Sequence, residues 1–260
     1  MNRIEFIGAP GVGKTFLLNA ILNNNYKRNW CTFPEAKIEI AKSIGDFKNP
    51  YSNKYLMQFD HFKNKYDKWF NDNLNLFYVA AEKNYLPAFC DIILETMQFY
   101  LSEKIKVNNS YQRLQYIDYN IELIKQLTFL IHSSFNKNIV FCEFIVHNLP
   151  VFIDYDSLSS KIKEDEFLRK TLLPKAVIYC YTDINENFAR RKKRITNGQA
   201  GFIDYKLSDE EVREQCLINL NRSENMRNVL EKIGVPILDV DTTDSTDENI
   251  KKINSFINSL

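Results

Sequence analysis

The chain has 260 residues, of which 45% are hydrophobic and 26% charged, with a formal net charge of +1. That is enough for one large α/β domain with its own core, and the balanced charge excludes a general electrostatic pull toward nucleic acid or an anionic membrane. No apolar run approaches the roughly 20 residues that span a bilayer, and the N-terminus runs directly into a strand instead of a signal sequence, so a cytoplasmic setting is expected, with no nucleic-acid or membrane partner.

In chain order, Arg3-Ile4-Glu5-Phe6-Ile7 reads as a short buried strand. It runs into GAPGVGKT, residues 8–15, which holds Gly8, Gly11 and Gly13 out of seven glycines in the chain. The spacing Gly8-x4-Gly13-Lys14-Thr15 fits a phosphate-binding loop. The loop Gly8, Ala9, Pro10, Gly11, Val12 and Gly13 would cradle the phosphates of a nucleotide with its backbone N–H groups. Lys14 would reach the β- and γ-phosphates, and the Thr15 hydroxyl would help to hold Mg²⁺. Lys14 to Leu22 follows with Leu17, Leu18, Ile21 and Leu22 at helical spacing, so the loop ends on a helix N-terminus whose dipole and free N–H groups favour an anion.

The polar run Asn23-Asn24-Asn25 reads as a loop, and a second strand is expected at Trp30 to Phe33, stopped by Pro34. From about Ile38 to Ser134 the apolar spacing is helical, including Tyr55 to Phe70, Phe89 to Ile105 and Tyr111 to Ile131, with breaks near Pro50, Pro87 and Asn108-Asn109. Aromatic residues are dense between Tyr51 and Tyr119, where they either pack a core or stack on a ligand. Short apolar runs resume at Ile139 to Cys142, Ala176 to Cys180 and Val235 to Val240, and Asn249 to Leu260 closes the chain as an amphipathic helix. The order is βα, a helical block, then βα three times, which predicts a parallel sheet covered by helices, with the ligand at the strands' carboxyl ends. One domain over 1–260 is expected. Cys31, Cys90, Cys142, Cys180 and Cys216 lack a C-x2-C pair, and His61, His132 and His147 have no metal spacing, so neither a disulfide framework nor a zinc site is implied.

A guanine-reading motif is spelled at Asn64-Lys65-Tyr66-Asp67, but it lies in a polar helical stretch with no strand before it. A small-molecule kinase needs a base, an acid that organises Mg²⁺ and cations over the transferring phosphoryl group. Glu35 in TFPEAK follows the second strand and could take a hydroxyl proton, or could simply offset a helix dipole. Glu143 follows NIVFC, where a sheet delivers an acid to Mg²⁺ or to an acceptor. FARRKKR at 188–194 runs into ITNGQAGF with Gly198 and Gly201, as in a hinged lid over about 190–206. Arg190 and Arg194 are four apart and share a helical face suited to clamping phosphate, while Arg191, Lys192 and Lys193 point elsewhere.

FIGAPGVGKTFLLNAI, FPEAK, VFCEF, AVIYCYTDINENFARRKKR and VPILDVDTTDSTDENIKKINSFINSL together resemble the deoxyribonucleoside kinase and thymidylate kinase group, in order and over nearly the whole chain. The resemblance implies an α/β P-loop NTPase fold: a parallel sheet flanked by helices, a long helical insertion after strand 2 and an arginine-rich lid. It implies ATP and Mg²⁺ as cofactors, Glu35 as base for a 5′-hydroxyl and Glu143 as the first residue of a Glu-Arg-Ser or Asp-Arg motif. It also sets the donor adenine near the lid helix and the loop Asp241-Thr242-Thr243-Asp244. Phe144 stands where the group has Arg, and Gln98 in ETMQFY is the candidate base-reading glutamine. The expected activity is transfer of the γ-phosphoryl of ATP to a small-molecule acceptor, a nucleoside or nucleotide first, with a homodimer left open. A kinase for a sugar or another alcohol, and a P-loop ATPase used as a regulatory or interaction module, are the alternatives.

Overall fold

The computed structural model describes residues 2–23, 30–44, 75–76, 78–102, 110–152, 164–199 and 207–260. Strands β1 (Asn2–Ile7), β2 (Trp30–Cys31), β3 (Asn138–Cys142), β4 (Ala176–Tyr181) and β5 (Ile237–Asp241) form one parallel sheet in the order β2-β3-β1-β4-β5. In β1 and β4, Ile4 lies opposite Ala176 and Ile7 opposite Tyr179; in β4 and β5, Val177 lies opposite Ile237 and Tyr181 opposite Asp241. These registers bring the carboxyl ends of β1, β4 and β5 together, where open α/β sheets hold ligands.

The chain divides into two compact units, residues 31–139 and residues 2–30 with 140–260. In the second, Ile4 and Phe6 of β1, Ile178 and Cys180 of β4 and Val240 of β5 share a core with Leu17, Leu18 and Ile21 of α1 (Lys14–Asn23). The expected amphipathic C-terminal helix starts earlier than its apolar spacing predicts, as Thr246–Ser259, because Ser245 caps it by accepting from Glu248 N; its Ile250 and Ile253 enter the same core.

The other face of β1 is not the plain apolar surface expected of a buried strand. Arg3 and Glu5, two residues apart and so on one face, are each no more than 1% exposed, with Arg3 Nε 2.8 Å from Glu5 Oε1. Arg3 also donates to the carbonyls of Thr171 and Leu172, and Glu5 Oε2 accepts from Val146 N at 3.0 Å. Burial pushes the Glu5 carboxyl up and the Arg3 guanidinium down, against the pull of the pair itself. Thr171 and Leu172 belong to the short helix Glu166–Leu172, and Val146 to the single turn Ile145–Asn148, so the pair ties both segments to β1.

The lid helix, Ile184–Thr196, is capped by Asp183, which accepts from Asn185 N and Glu186 N. It ends where Gly198, at φ +69°, allows Gln199 N to donate back to Arg194 O, a Schellman-type stop. Gly201 lies outside the described residues. A 24-residue helix, Asp209–Lys232, has no counterpart among the sequence expectations; its inward positions are diluted by charged ones, and a capping box between Ser208 and Glu211 starts it.

In the unit 31–139, helices occupy Phe33–Ile44, 78–85, Cys90–Leu101 and Ser110–His132. The last two match the helices expected at 89–105 and 111–131, and Pro87 sits in a 3-10 turn, Leu86–Phe89. The helix expected at 55–70, the Asn64-Lys65-Tyr66-Asp67 tetrad and the breaks at Pro50 and Asn108-Asn109 lie outside the described residues. The second strand is shorter than the predicted 30–33 because Phe33 already belongs to a helix. Several described aromatics pack on one another: Tyr78 stacks on Phe129 at 4.4 Å, Phe33 meets Phe129 edge-on, and Tyr100 stacks on Tyr116 at 5.4 Å. Among the described residues, no helix is long and apolar enough to cross a membrane.

Candidate nucleotide site

The segment from β1 to α1 needs its glycines for two separate reasons. Gly8 has φ +141°, and a Cβ there would lie 2.1 Å from the Cys180 carbonyl oxygen, so β4 passes directly against the loop. Gly11 has φ +89°, and its Cβ would press on Arg191 Cγ and Asn187 Nδ2 of the lid helix at 3.0 and 3.1 Å. Asn187, fully buried, donates from Nδ2 to Pro10 O at 2.9 Å. Ala9 and Val12 point inward, and Val12 N donates to Ala9 O. The loop is therefore held from beneath by β4 and the lid helix, which leaves its outer side and the acid-free first turn of α1 to face an anion.

Lys14 is only 4% exposed, and its ammonium contacts Gly8 O at 2.5 Å, Ala9 O at 2.7 Å and Glu143 Oε1 at 2.8 Å. Three donors thus meet three acceptors, and reaching a phosphate means exchanging at least one of them. Glu143 adopts φ +61°, the left-handed region, at a cost of about 1–2 kcal/mol for a residue with a Cβ. Its backbone is fixed there by Glu143 N donating to Phe6 O and Asn148 Nδ2 donating to Glu143 O. Burial alone would raise the Glu143 carboxyl, but Lys14, then His147, outweigh it and hold the group below the ordinary carboxylate value. His147 Nε2 lies 3.7 Å from Glu143 Oε1, and burial lowers the imidazole to about 4, so the ring is neutral at pH 7. His147 follows Glu143 by four residues, a spacing visible in the sequence once a helical turn begins at Ile145.

Thr15 Oγ1 lies 3.4 Å from Cys142 Sγ at the end of β3. Among the described residues no group of three or more His, Cys, Asp or Glu could hold a metal. The oxygen donors Thr15 and Glu143 nevertheless suit Mg²⁺, which binds through one or two protein oxygens and fills its shell with phosphate oxygens and water.

The two lid arginines part ways. Arg190 Nη1 donates to Val12 O at 2.8 Å and Thr242 Oγ1 at 2.9 Å, Nη2 donates to Thr242 O at 3.1 Å, and Nε meets Glu186 Oε1 at 2.6 Å. Its guanidinium staples the lid helix to the glycine loop and to the turn after β5. Arg194, one turn later, is exposed and lines a cavity of about 570 Å³ together with Lys14, Thr15, Glu143, Arg190, Lys193, Asn197 and Gln199. The expectation that Arg191, Lys192 and Lys193 point elsewhere needs correcting for Lys193 alone. Lys193 lines the cavity, and Arg191, 6% exposed, packs beneath Gly11. Lys192 pairs with Asp209. Asn187 was foreseeable, because positions 187, 190, 191 and 194 share one helical face.

The remaining candidates lie as follows. Glu35 sits in the first turn of the helix Phe33–Ile44, where its Oε2 accepts from Thr32 N at 2.9 Å and lies 3.1 Å from Thr32 Oγ1, a capping arrangement. Gln98 is exposed on the helix Cys90–Leu101. Asp241 Oδ1 accepts from Thr243 N and Thr243 Oγ1, and Thr242 N donates to Tyr181 O, so the turn is internally braced beside Arg190. Phe144 is 1% exposed, stacked on Phe141 at 3.8 Å and covered by the Arg3 guanidinium, so position 144 belongs to the core.

The parallel sheet, the glycine loop after β1 and the lysine at the start of α1 define an α/β fold of the P-loop class. Two solved structures of deoxyadenosine kinase from M. mycoides, one with bound dATP and one with bound dCTP, are similar to this chain with TM-scores of 0.46 and 0.44 at 15% sequence identity, over 99% of this chain and 100% of theirs. No family model and no curated protein matches the chain.

Proposed function

We propose that this protein is an ATP-dependent kinase that transfers the γ-phosphoryl group to a hydroxyl or phosphate of a small molecule, a nucleoside or nucleotide first. The observation that carries the proposal is the cavity over the glycine loop, where Lys14, Arg190, Lys193 and Arg194 surround a single acid, Glu143. That composition suits a polyphosphate beside a metal.

In this reading the loop N–H groups and the N-terminus of α1 hold the donor phosphates, and Lys14 swings from Glu143 or a loop carbonyl to the β- and γ-oxygens. Mg²⁺, held through Thr15 and Glu143, supplies neutralisation of phosphate charge. Arg194 and Lys193 cover the transferring group, while Arg190 keeps the loop and the turn at Thr242 in place. Glu35 is the proposed base, taking the acceptor proton on its carboxylate. Burial of Phe144 in the core removes the cation that the resembling group carries at that position, an observation that favours a sugar or another alcohol as the second reading. Measuring ADP release from ATP·Mg²⁺ with a panel of nucleosides, nucleotides and sugars tests the proposal. Release stimulated by one of the first two classes is the expected result. Slow release that no acceptor stimulates would replace the kinase with an ATPase module.

A further inference from the structure

A second cavity, of about 420 Å³, opens on the face of β4 and β5 that the helix Asp209–Lys232 covers, and it shares no lining residue with the nucleotide cavity. Its volume is in the range of small-molecule sites. Tyr179 and Tyr181 alternate along β4 onto one face, and their rings lie nearly parallel, 22° apart with centroids at 5.8 Å. Leu220, Glu224, Arg227 and Asn228 face them from one side of the helix, spaced at i, i+4, i+7 and i+8.

The charge here is opposite to that of the nucleotide cavity. Arg227 forms a two-pronged pair with Asp239, at 3.1 and 2.8 Å, and a further pair with Glu231. Glu224 adds a third carboxylate against that one guanidinium. Nearby, Asp244 is matched by Lys252. At the end of β4, Thr182 lines the cavity at 6% exposure, and its Oγ1 has no hydrogen-bond partner among the described residues.

We infer that this cavity is a second ligand site, independent of the proposed kinase reading, for a small planar organic cation such as an amidinium, a guanidinium or a protonated heteroaromatic amine. The tyrosine faces attract a cation through their ring quadrupoles, and Glu224 supplies the opposite charge. A phosphate-bearing ligand would meet Glu224 and Asp239 and be repelled.

Benzamidine, uncharged benzamide and anionic benzoate share one shape and separate charge from size. The full-length chain is titrated with each by ligand-observed NMR. Benzamidine should bind saturably, benzamide about tenfold more weakly and benzoate not at all. Glu224→Gln and Tyr181→Leu, both at accessible positions, should each weaken benzamidine about fivefold or more, with melting temperatures kept at the parent value as the folding control. Absence of saturable benzamidine binding, equal binding of benzamide or benzoate, or parent-like affinity in both variants would overturn the assignment.

Discussion

Arg190 and Arg194 share a helical face, yet their replacement should have opposite consequences. Arg190→Met removes hydrogen bonds to Val12 O, Thr242 Oγ1 and Thr242 O at 2.8, 2.9 and 3.1 Å, and leaves two carbonyls partly shielded without their donor. A bond from a charged donor contributes about 1.5–3 kcal/mol, but bonds made by one side chain do not add. The pair with Glu186, whose side chain is 41% exposed, is solvent-screened and adds under about 1 kcal/mol. A net loss of about 3 kcal/mol corresponds to a fall in melting temperature of roughly 6–12 °C for a chain of this size. Arg194→Ala, at an exposed position, should change stability by no more than about 0.5 kcal/mol while slowing phosphoryl transfer. Thermal melts followed by circular dichroism, with nucleotide affinity and single-turnover rates on the same samples, separate the two roles. Melting of Arg190→Met within about 2 °C of the parent would refute the staple, as would an equally large fall for Arg194→Ala.

Lys14→Met should weaken ATP binding about 10–100-fold while the far-ultraviolet circular dichroism stays that of the parent, and parent-like affinity in a fluorescent ATP-analogue titration would end the loop's assigned role. Glu35→Gln should lower acceptor phosphorylation by roughly 10²–10⁴-fold with ATP binding kept, whereas Glu143→Gln should raise the Mg²⁺ concentration needed. Single-turnover rates across Mg²⁺ concentration distinguish them, and a parent rate for Glu35→Gln would move the base to Glu143. Arg3→Met or Glu5→Leu alone should cost about 3–5 kcal/mol by leaving one buried charge unpaired, and the double variant clearly less than the sum. Urea unfolding of the three proteins checks this, and strict additivity would show that the pair is not coupled.

The fold class was legible because its signals are local. A strand, a loop with three glycines and a helix follow one another within residues 2–23, and all three glycines take positive φ, a local backbone demand that the glycine spacing itself announces. Apolar spacing likewise announced α1, the helices near 89–105 and 111–131, and the positions of β3, β4 and β5, since period and burial are written residue by residue. What the neighbours do to a side chain is not written that way. Nothing in FARRKKR tells that Arg190 is consumed by Val12 and Thr242 while Lys193 reaches the cavity, because the partners come from segments 178 and 52 residues away. Arg3 and Glu5 were legible only as members of a short buried strand, and it takes the crossing of β1 by the turn at Val146 and the helix carrying Thr171 and Leu172 to make them a buried pair. The left-handed backbone of Glu143 and the burial of Phe144 have the same origin: a short chain reversal after β3 whose geometry is set by contacts to β1, at distances in sequence where periodicity carries no information.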